Sequence, residues 1–256
     1  MLGAMIGDII GSVYEWHNTK TTDFPFFSQQ SFFTDDTVLT AATAQAIIKG
    51  MDYAAAYQDF ARRYPGRGYG GNFNRWILAE NPQPYNSWGN GSAMRISPVG
   101  FAFNSVETVL AEAKRSAEVT HSHPEGIKGA QSTALAIFMG RQGASKAEIR
   151  EEITDRFGYD LDRTLDDIRP GYTFDVSCQG SVPEAIIAFL ESSGFEDAVR
   201  KAISLGGDSD TIACIAGGIA EAFYHGIPQA TEDQGKSYLP EEFVGIIKEF
   251  RGCCKK

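Results

Sequence analysis

The sequence predicts an all-α fold, on three observations. Apolar residues recur at helical spacing in most long segments, as in TDDTVLTAATAQAIIKG, where Val38, Leu39, Ala42, Ala46 and Ile47 share a face and Gly50 supplies a C-terminal stop. No stretch shows period-2 alternation bounded by hairpin turns. The runs between periodic segments are rich in Gly, Pro, Asn and aromatics, which marks them as loops rather than strands.

In chain order, the same period predicts helices over 106–121, 126–141, 145–158, 181–194 and 195–206. Pro183 is placed in a first helical turn. A further helix within 204–226 carries Ile212, Ile215, Ile219 and Phe223 on one side. Loops are expected at 16–33, 63–75, 80–98 and 159–180, and loops of such length are uncommon unless they serve a function. No composition break or internal repeat divides the chain, so residues 1–256 are read as a single domain.

Apolar residues make up 43% and charged residues 22%, ordinary values for a globular chain. Acidic residues outnumber basic ones 33 to 23. A net charge of −10 argues against a nucleic-acid partner and suits divalent cations wherever carboxylates converge. Cysteines 178, 214, 253 and 254 form no CxxC pair and are read as reduced thiols, the last two in a frayed tail. The apolar start MLGAMIGDIIGSVYEW lacks a basic leader, carries Asp8, and is too short to span a bilayer. A cytoplasmic monomer with no membrane partner is expected.

Two acidic clusters stand at two predicted helix starts: Thr34-Asp35-Asp36-Thr37 and Asp208-Ser209-Asp210-Thr211. Capping explains either one alone, because Asp, Ser and Thr are preferred N-caps. Two clusters together offer six hard oxygen donors, a set suited to Mg²⁺ or Mn²⁺ rather than Zn²⁺, and adjacent ions roughly 3.5–4 Å apart are a common catalytic arrangement. Spacing alone leaves capping and metal binding both open. A DDxxD signature is absent, as are a P-loop, GxGxxG and GxSxG.

Five stretches in order, GAMIGDIIGSVYE (3–15), FTDDT (33–37), GNGSAMRISPVG (89–100), THSHPEGIKGA (120–130) and the GGDSDTIACIAGGIAEAFYHG segment (206–226), resemble the ADP-ribosylglycohydrolase family. The resemblance implies a compact helical domain with a binuclear metal cleft holding two Mg²⁺ or Mn²⁺ ions. It carries over Thr34, Asp35, Asp36, Asp208, Asp210 and Thr211 as metal ligands. It also implies that the Gly206-Gly207 turn brings backbone close to the ions. Glu15, otherwise a solvated helix-end carboxylate, becomes the proton-handling or gating residue, with the ligand Asp36 as the alternative base. Asp8 is read as structural, holding a helix start.

The glycine-rich loop from Gly89 can present N–H groups to an anion, with Asn90 and Arg95 adding donors; RGYGG (67–71) is a weaker loop of the same kind. With the resemblance, Asn90, Gly91, Ser92, Ala93 and Met94 become contacts to ribose or diphosphate, and His121 lies near the ribose. Without it, an ordinary turn with Met94 pointing into the core stays as open as an anion-binding loop, and His121 is a structural or substrate-contacting histidine; a zinc role for His121 and His123 lacks the further ligands it needs. Aromatics in 16–33 either pack in the core or cover the site. The implied activity is hydrolysis at the anomeric C1″ carbon of an ADP-ribosyl group, on an arginine- or serine-linked protein. The alternatives are a small metabolite such as O-acetyl-ADP-ribose, or a non-catalytic relative that binds ADP-ribose.

Overall fold

The computed structural model describes residues 1–253. Fifteen helices follow one another: α1 (Leu2–Gly11), α2 (Asp35–Lys49), α3 (Tyr53–Arg63), α4 (Gly71–Leu78), α5 (Gly91–Met94), α6 (Ser97–Ala102), α7 (Val106–Glu118) and α8 (Pro124–Arg141). Then come α9 (Lys146–Phe157), α10 (Leu165–Ile168), α11 (Cys178–Leu190), α12 (Phe195–Ile203), α13 (Ser209–Phe223), α14 (Gln229–Lys236) and α15 (Glu241–Cys253). Among the described residues there is no β-strand; an isolated antiparallel bridge joins Gly89 to Ser177.

Helix α1 is the axis of the core, with all ten of its residues buried. Gly3, Gly7 and Gly11 recur every four residues and so line one face. A Cβ at these positions would lie 2.5 Å from the Gly217 carbonyl oxygen, 2.1 Å from the Ala213 carbonyl oxygen and 2.5 Å from the Asp210 Cα. The bare stripe therefore lets α1 lie backbone to backbone against α13, while Met5, Ile6, Ile9 and Ile10 fill the space around it. Each such side chain contributes about 1.5–3 kcal/mol of burial. The pairing fixes Asp8 and the turn before Glu15 relative to the start of α13. No helix among the described residues is long and apolar enough to cross a membrane.

Several expectations need correction. Helix α13 is buried on all sides, not one, because α1, α8, α11 and α12 surround it. The expected loops contain short helices: α4 begins inside 63–75, α5 and the start of α6 lie inside 80–98, and α10 and the start of α11 inside 159–180. Pro183 lies inside α11 rather than in its first turn, because Ser177 caps the helix through the Gly180 N–H and so starts it three residues earlier than expected. Cys253 ends α15, a helix that buries Phe243, Ile246, Ile247 and Phe250 on one face, and is not in a frayed tail; Cys254 lies outside the described residues.

Candidate active site

Three chain segments meet at one point: the middle of α1, the start of α2 and the start of α13. The two helix starts use their polar side chains differently. At α2 the cap is Thr34, whose Oγ1 accepts from the Asp36 N–H at 3.3 Å. Asp8 braces the same turn, accepting from the Thr34 N–H (3.0 Å), the Thr34 hydroxyl (2.7 Å) and the Thr37 N–H (3.1 Å). At α13, Asp208 occupies the cap position yet makes no side-chain capping bond. Its Oδ2 accepts instead from Asn90 Nδ2 at 2.6 Å.

The carboxylates form two groups. Oxygens of Asp8, Asp36 and Asp210 lie within 4.8 Å of one another, and so do oxygens of Glu15, Asp208 and Asp210. Asp210 belongs to both. Like charges at such a distance repel by on the order of 3 kcal/mol per pair at an effective dielectric of about 20. The positive ends of α2 and α13 offset only part of this, about 0.3–2 kcal/mol each. The carboxylates respond as expected. Burial, then the Asp210 charge, pushes Asp8 up to about 7. Burial, then Asp210 and Asp8, raises Glu15 to about 7. Burial first, then Asp210, holds Asp35, Asp36 and Asp208 well above the usual carboxylate range.

The site must therefore hold protons or cations. Cations fit the donor set: Asp36 Oδ1 and Asp210 Oδ1 are buried with no hydrogen-bond partner, which is costly unless something positive faces them. Thr211 lies in the same cluster, its hydroxyl donating to Asp36 Oδ2 at 3.3 Å. Asp35 is half-buried on the cleft wall, its N–H bonded to the Arg67 carbonyl at 2.8 Å, and its oxygens fall outside both three-carboxylate groups. The hard oxygen donors are those that Mg²⁺ or Mn²⁺ prefers.

These groups form the floor of a cleft of about 740 Å³. Asn90, Gly91, Met94 and His121 line it; Ser92 and Ala93 are buried behind the wall. The Ser92 hydroxyl is used structurally, donating to the Gly126 carbonyl at 2.6 Å. Met94 combines both sequence readings, since it is buried in the core and also reaches the wall. Of the 16–33 aromatics, Phe24, Phe26 and Phe27 pack against the core, while Phe32 and Trp16 face the cleft. The Gly206-Gly207 turn has both residues at φ +71°, and the atoms crowding Gly207 are the Tyr172 ring and the Thr173 carbonyl. The close approach at Gly207 is thus to the Tyr172 ring and the Thr173 carbonyl. The RGYGG loop walls the cleft through Arg67 and Gly68, with the Arg67 guanidinium 3.8 Å over Phe33.

Sequence reasoning passed over two features. Asp8 does hold a helix start, but it also contributes an oxygen to a three-carboxylate group. Trp88 is half exposed on the cleft wall beside Asn90. The signal for Trp88 was a lone tryptophan inside the polar run NSWGNG.

Carboxylates converge from three helix segments on one open cleft, a donor set that could hold a metal ion. The profile of the ADP-ribosylglycohydrolase family matches residues 1–243, and the chain belongs to that family of glycosidic-bond hydrolases. The chain is 29% identical over 329 aligned positions to the mouse ADP-ribosylhydrolase ARH3, covering 97% of this chain and 89% of that protein. It is 28% identical to the human ADP-ribosylhydrolase ARH3, covering 97% and 90%. The ADP-ribosylarginine hydrolase Tri1 of Pseudomonas putida (strain GB-1) is 27% identical, covering 95% of this chain and 72% of that one. A solved structure described as an ADP-ribosylglycohydrolase-related protein complex superposes with a TM-score of 0.72 at 23% identity, over 98% of this chain and 97% of that chain, and shares the fold.

Proposed function

We propose that this chain is a Mg²⁺- or Mn²⁺-dependent hydrolase that cleaves an ADP-ribosyl bond at C1″, releasing ADP-ribose from an arginine- or serine-linked protein. The observation that carries the reading is the placement of Asp210 in both three-carboxylate groups on the floor of a cleft large enough for a nucleotide sugar. Asp8, Asp36 and Asp210, with Thr34 and Thr211 beside them, would hold one cation; Glu15, Asp208 and Asp210 would hold the other. Asp35 on the wall supplies a further oxygen within the same cleft. Bound there, the cations supply Lewis acidity and a template for ribose hydroxyls and water.

The remaining work falls to the chain's own side chains. Asn90 fixes the rotamer of Asp208 through its 2.6 Å bond and so orients one donor. Glu15, half-buried at the mouth and raised to about 7, sits where a carboxyl can exchange a proton at neutral pH; Asp36, more deeply buried, is the alternative base. Developing positive charge at C1″ would be met by this acidic floor, as in other oxocarbenium-like glycoside cleavage. The Asn90–Gly91 turn and His121 form the wall against which ribose and diphosphate would lie, and Trp88 offers a face for adenine. Free, buried thiols at Cys178 and Cys214 support a reducing, cytoplasmic setting, and a monomer is the proposed working state.

A panel of arginine-linked, serine-linked and O-acetyl ADP-ribosyl substrates, assayed for free ADP-ribose with Mg²⁺, Mn²⁺ or EDTA, tests the proposal. Metal-dependent release from a protein linkage is expected. Release from O-acetyl-ADP-ribose alone would move the substrate to small metabolites. Binding of ADP-ribose with no release from any substrate would make the protein a non-catalytic binder.

A further inference from the structure

Among the residues lining the cleft is a buried cation that the hydrolytic reading does not use. Arg95 is completely buried, and no carboxylate pairs with it among the described residues. Its guanidinium lies 4.2 Å over the Tyr57 ring. Nη2 donates to the Ser116 carbonyl (2.9 Å) and to Thr120 Oγ1 (2.8 Å), while Nε and Nη1 have no partner. A guanidinium stays charged and only donates, so an unpaired one in this position is costly unless it does something.

Its side-chain hydrogen-bond partner, Thr120, leads to the cleft. Thr120 Oγ1 lies 2.8 Å from His121 Nδ1. With one lone pair of that oxygen held by Arg95, and the hydroxyl polarised by the guanidinium, the Thr120 proton is driven onto Nδ1 as acceptor. The opposite arrangement would make one hydroxyl accept from a cation and an imidazole at once. Nδ1 as acceptor puts the imidazole proton on Nε2. Nε2 has no protein partner and faces the Gly89–Gly91 turn, where a Cβ on Gly91 would come within 3.1 Å of it. Burial, followed by the Arg95 charge, drives His121 well below its ordinary range, so the ring stays neutral.

We propose that Arg95 and Thr120 are positioning residues that lock His121 as its neutral Nε2–H tautomer and present that N–H to an oxygen acceptor of the bound ADP-ribosyl group. The proposal rests on the ADP-ribosyl reading only for the ligand. The tautomer belongs to the free protein and stands or falls separately. Removing a buried guanidinium threatens folding, so the informative variants are Thr120→Val, which keeps shape and loses the hydroxyl, and Thr120→Ser, which restores it.

Nitrogen-15 NMR of the His121 ring in the ligand-free protein is expected to show protonated Nε2 and bare Nδ1. Thr120→Val is expected to show mixed tautomers and about tenfold weaker ADP-ribose binding by calorimetry, the effect of one lost hydrogen bond. Thr120→Ser is expected to restore both. A wild-type ring protonated on Nδ1, a Thr120→Val ring with unchanged tautomer, unchanged affinity in that variant, or no rescue by serine overturns the proposal. Failure of the wild-type protein to bind ADP-ribose in the calorimeter, with the NMR result intact, would instead overturn the ADP-ribosyl reading.

Discussion

The starts of α2 and α13 carry nearly the same residues, Thr-Asp-Asp-Thr and Asp-Ser-Asp-Thr, but use them in different ways. At α2 a threonine caps the helix and Asp8 braces the turn, which leaves Asp36 Oδ1 without a partner. At α13 nothing caps by side chain, Asp208 is held by Asn90, and Asp210 Oδ1 is bare. An acidic helix start can hold a cation when another group does the capping, or when the cap is forgone. Both starts carry mutually repelling carboxylates, the first braced by the Thr34 cap and Asp8 and the second by the Asn90 bond to Asp208.

Substitutions on the α13 side should have the largest effects. Glu15→Gln removes the exchangeable proton from the Glu15–Asp208–Asp210 group while keeping its shape, and turnover should fall roughly 10²–10⁴-fold with ADP-ribose affinity retained. Turnover at the wild-type rate would transfer the proton to Asp36 and leave Glu15 a gate. Gly11→Ala comes next. Its methyl would meet the Asp210 Cα at 2.5 Å, so it should displace the second group, lower activity by about 10²-fold and cost about 1–3 kcal/mol of stability by overpacking. A variant with both properties intact would show that α1 does not set the position of Asp210.

Two milder substitutions separate the helix starts by sign. Without metal, Thr34→Val should lose about 1 kcal/mol with the cap. Asp208→Asn should gain stability, on the order of 1–3 kcal/mol, at alkaline pH where the cluster is ionised, because it deletes a charge from a repelling cluster. Denaturant titrations of the EDTA-treated proteins read both directly, and a loss in both would mean that Asp208 serves its helix after all.

The smallest effect is on pH. Asp8 and Glu15 both titrate near 7 in the folded protein, against about 4 when unfolded. The folded state thus binds more protons across that interval. This stabilisation is complete below about pH 4 and is lost as pH rises through 7. Scanning calorimetry in EDTA should give a higher Tm at pH 5 than at pH 8, by a few degrees, and added divalent cation should abolish the difference. A Tm that rises with pH in EDTA would contradict the buried-carboxylate account.

Much of this was legible from local pattern. Helix α2 shows its period, its Thr34 cap and its Gly50 stop within seventeen residues, and both acidic clusters are visible as such. What was not legible depends on distant partners. Asp8 looks like a residue inside an apolar run, and only the glycine stripe packing of α1 on α13 brings it to Asp210, some two hundred positions away. Ser92 has the composition of an anion-binding loop, yet its hydroxyl is used by Gly126 on the adjoining helix α8. Pro183 suggests a first turn, and the Ser177 cap moved that turn upstream. In each case the residue's chemistry was right and its partner lay elsewhere in the chain.

Asp210, shared by both three-carboxylate groups, is proposed to join two cation positions. Isothermal titration of the metal-free protein with Mn²⁺ tests it most directly, comparing wild type with Asp36→Ala and Asp210→Ala. The account predicts two ions per chain in the wild type, one in Asp36→Ala, and none at comparable affinity in Asp210→Ala, with the metal-dependent rise in Tm lost alongside. Unchanged Mn²⁺ binding in Asp210→Ala would contradict it.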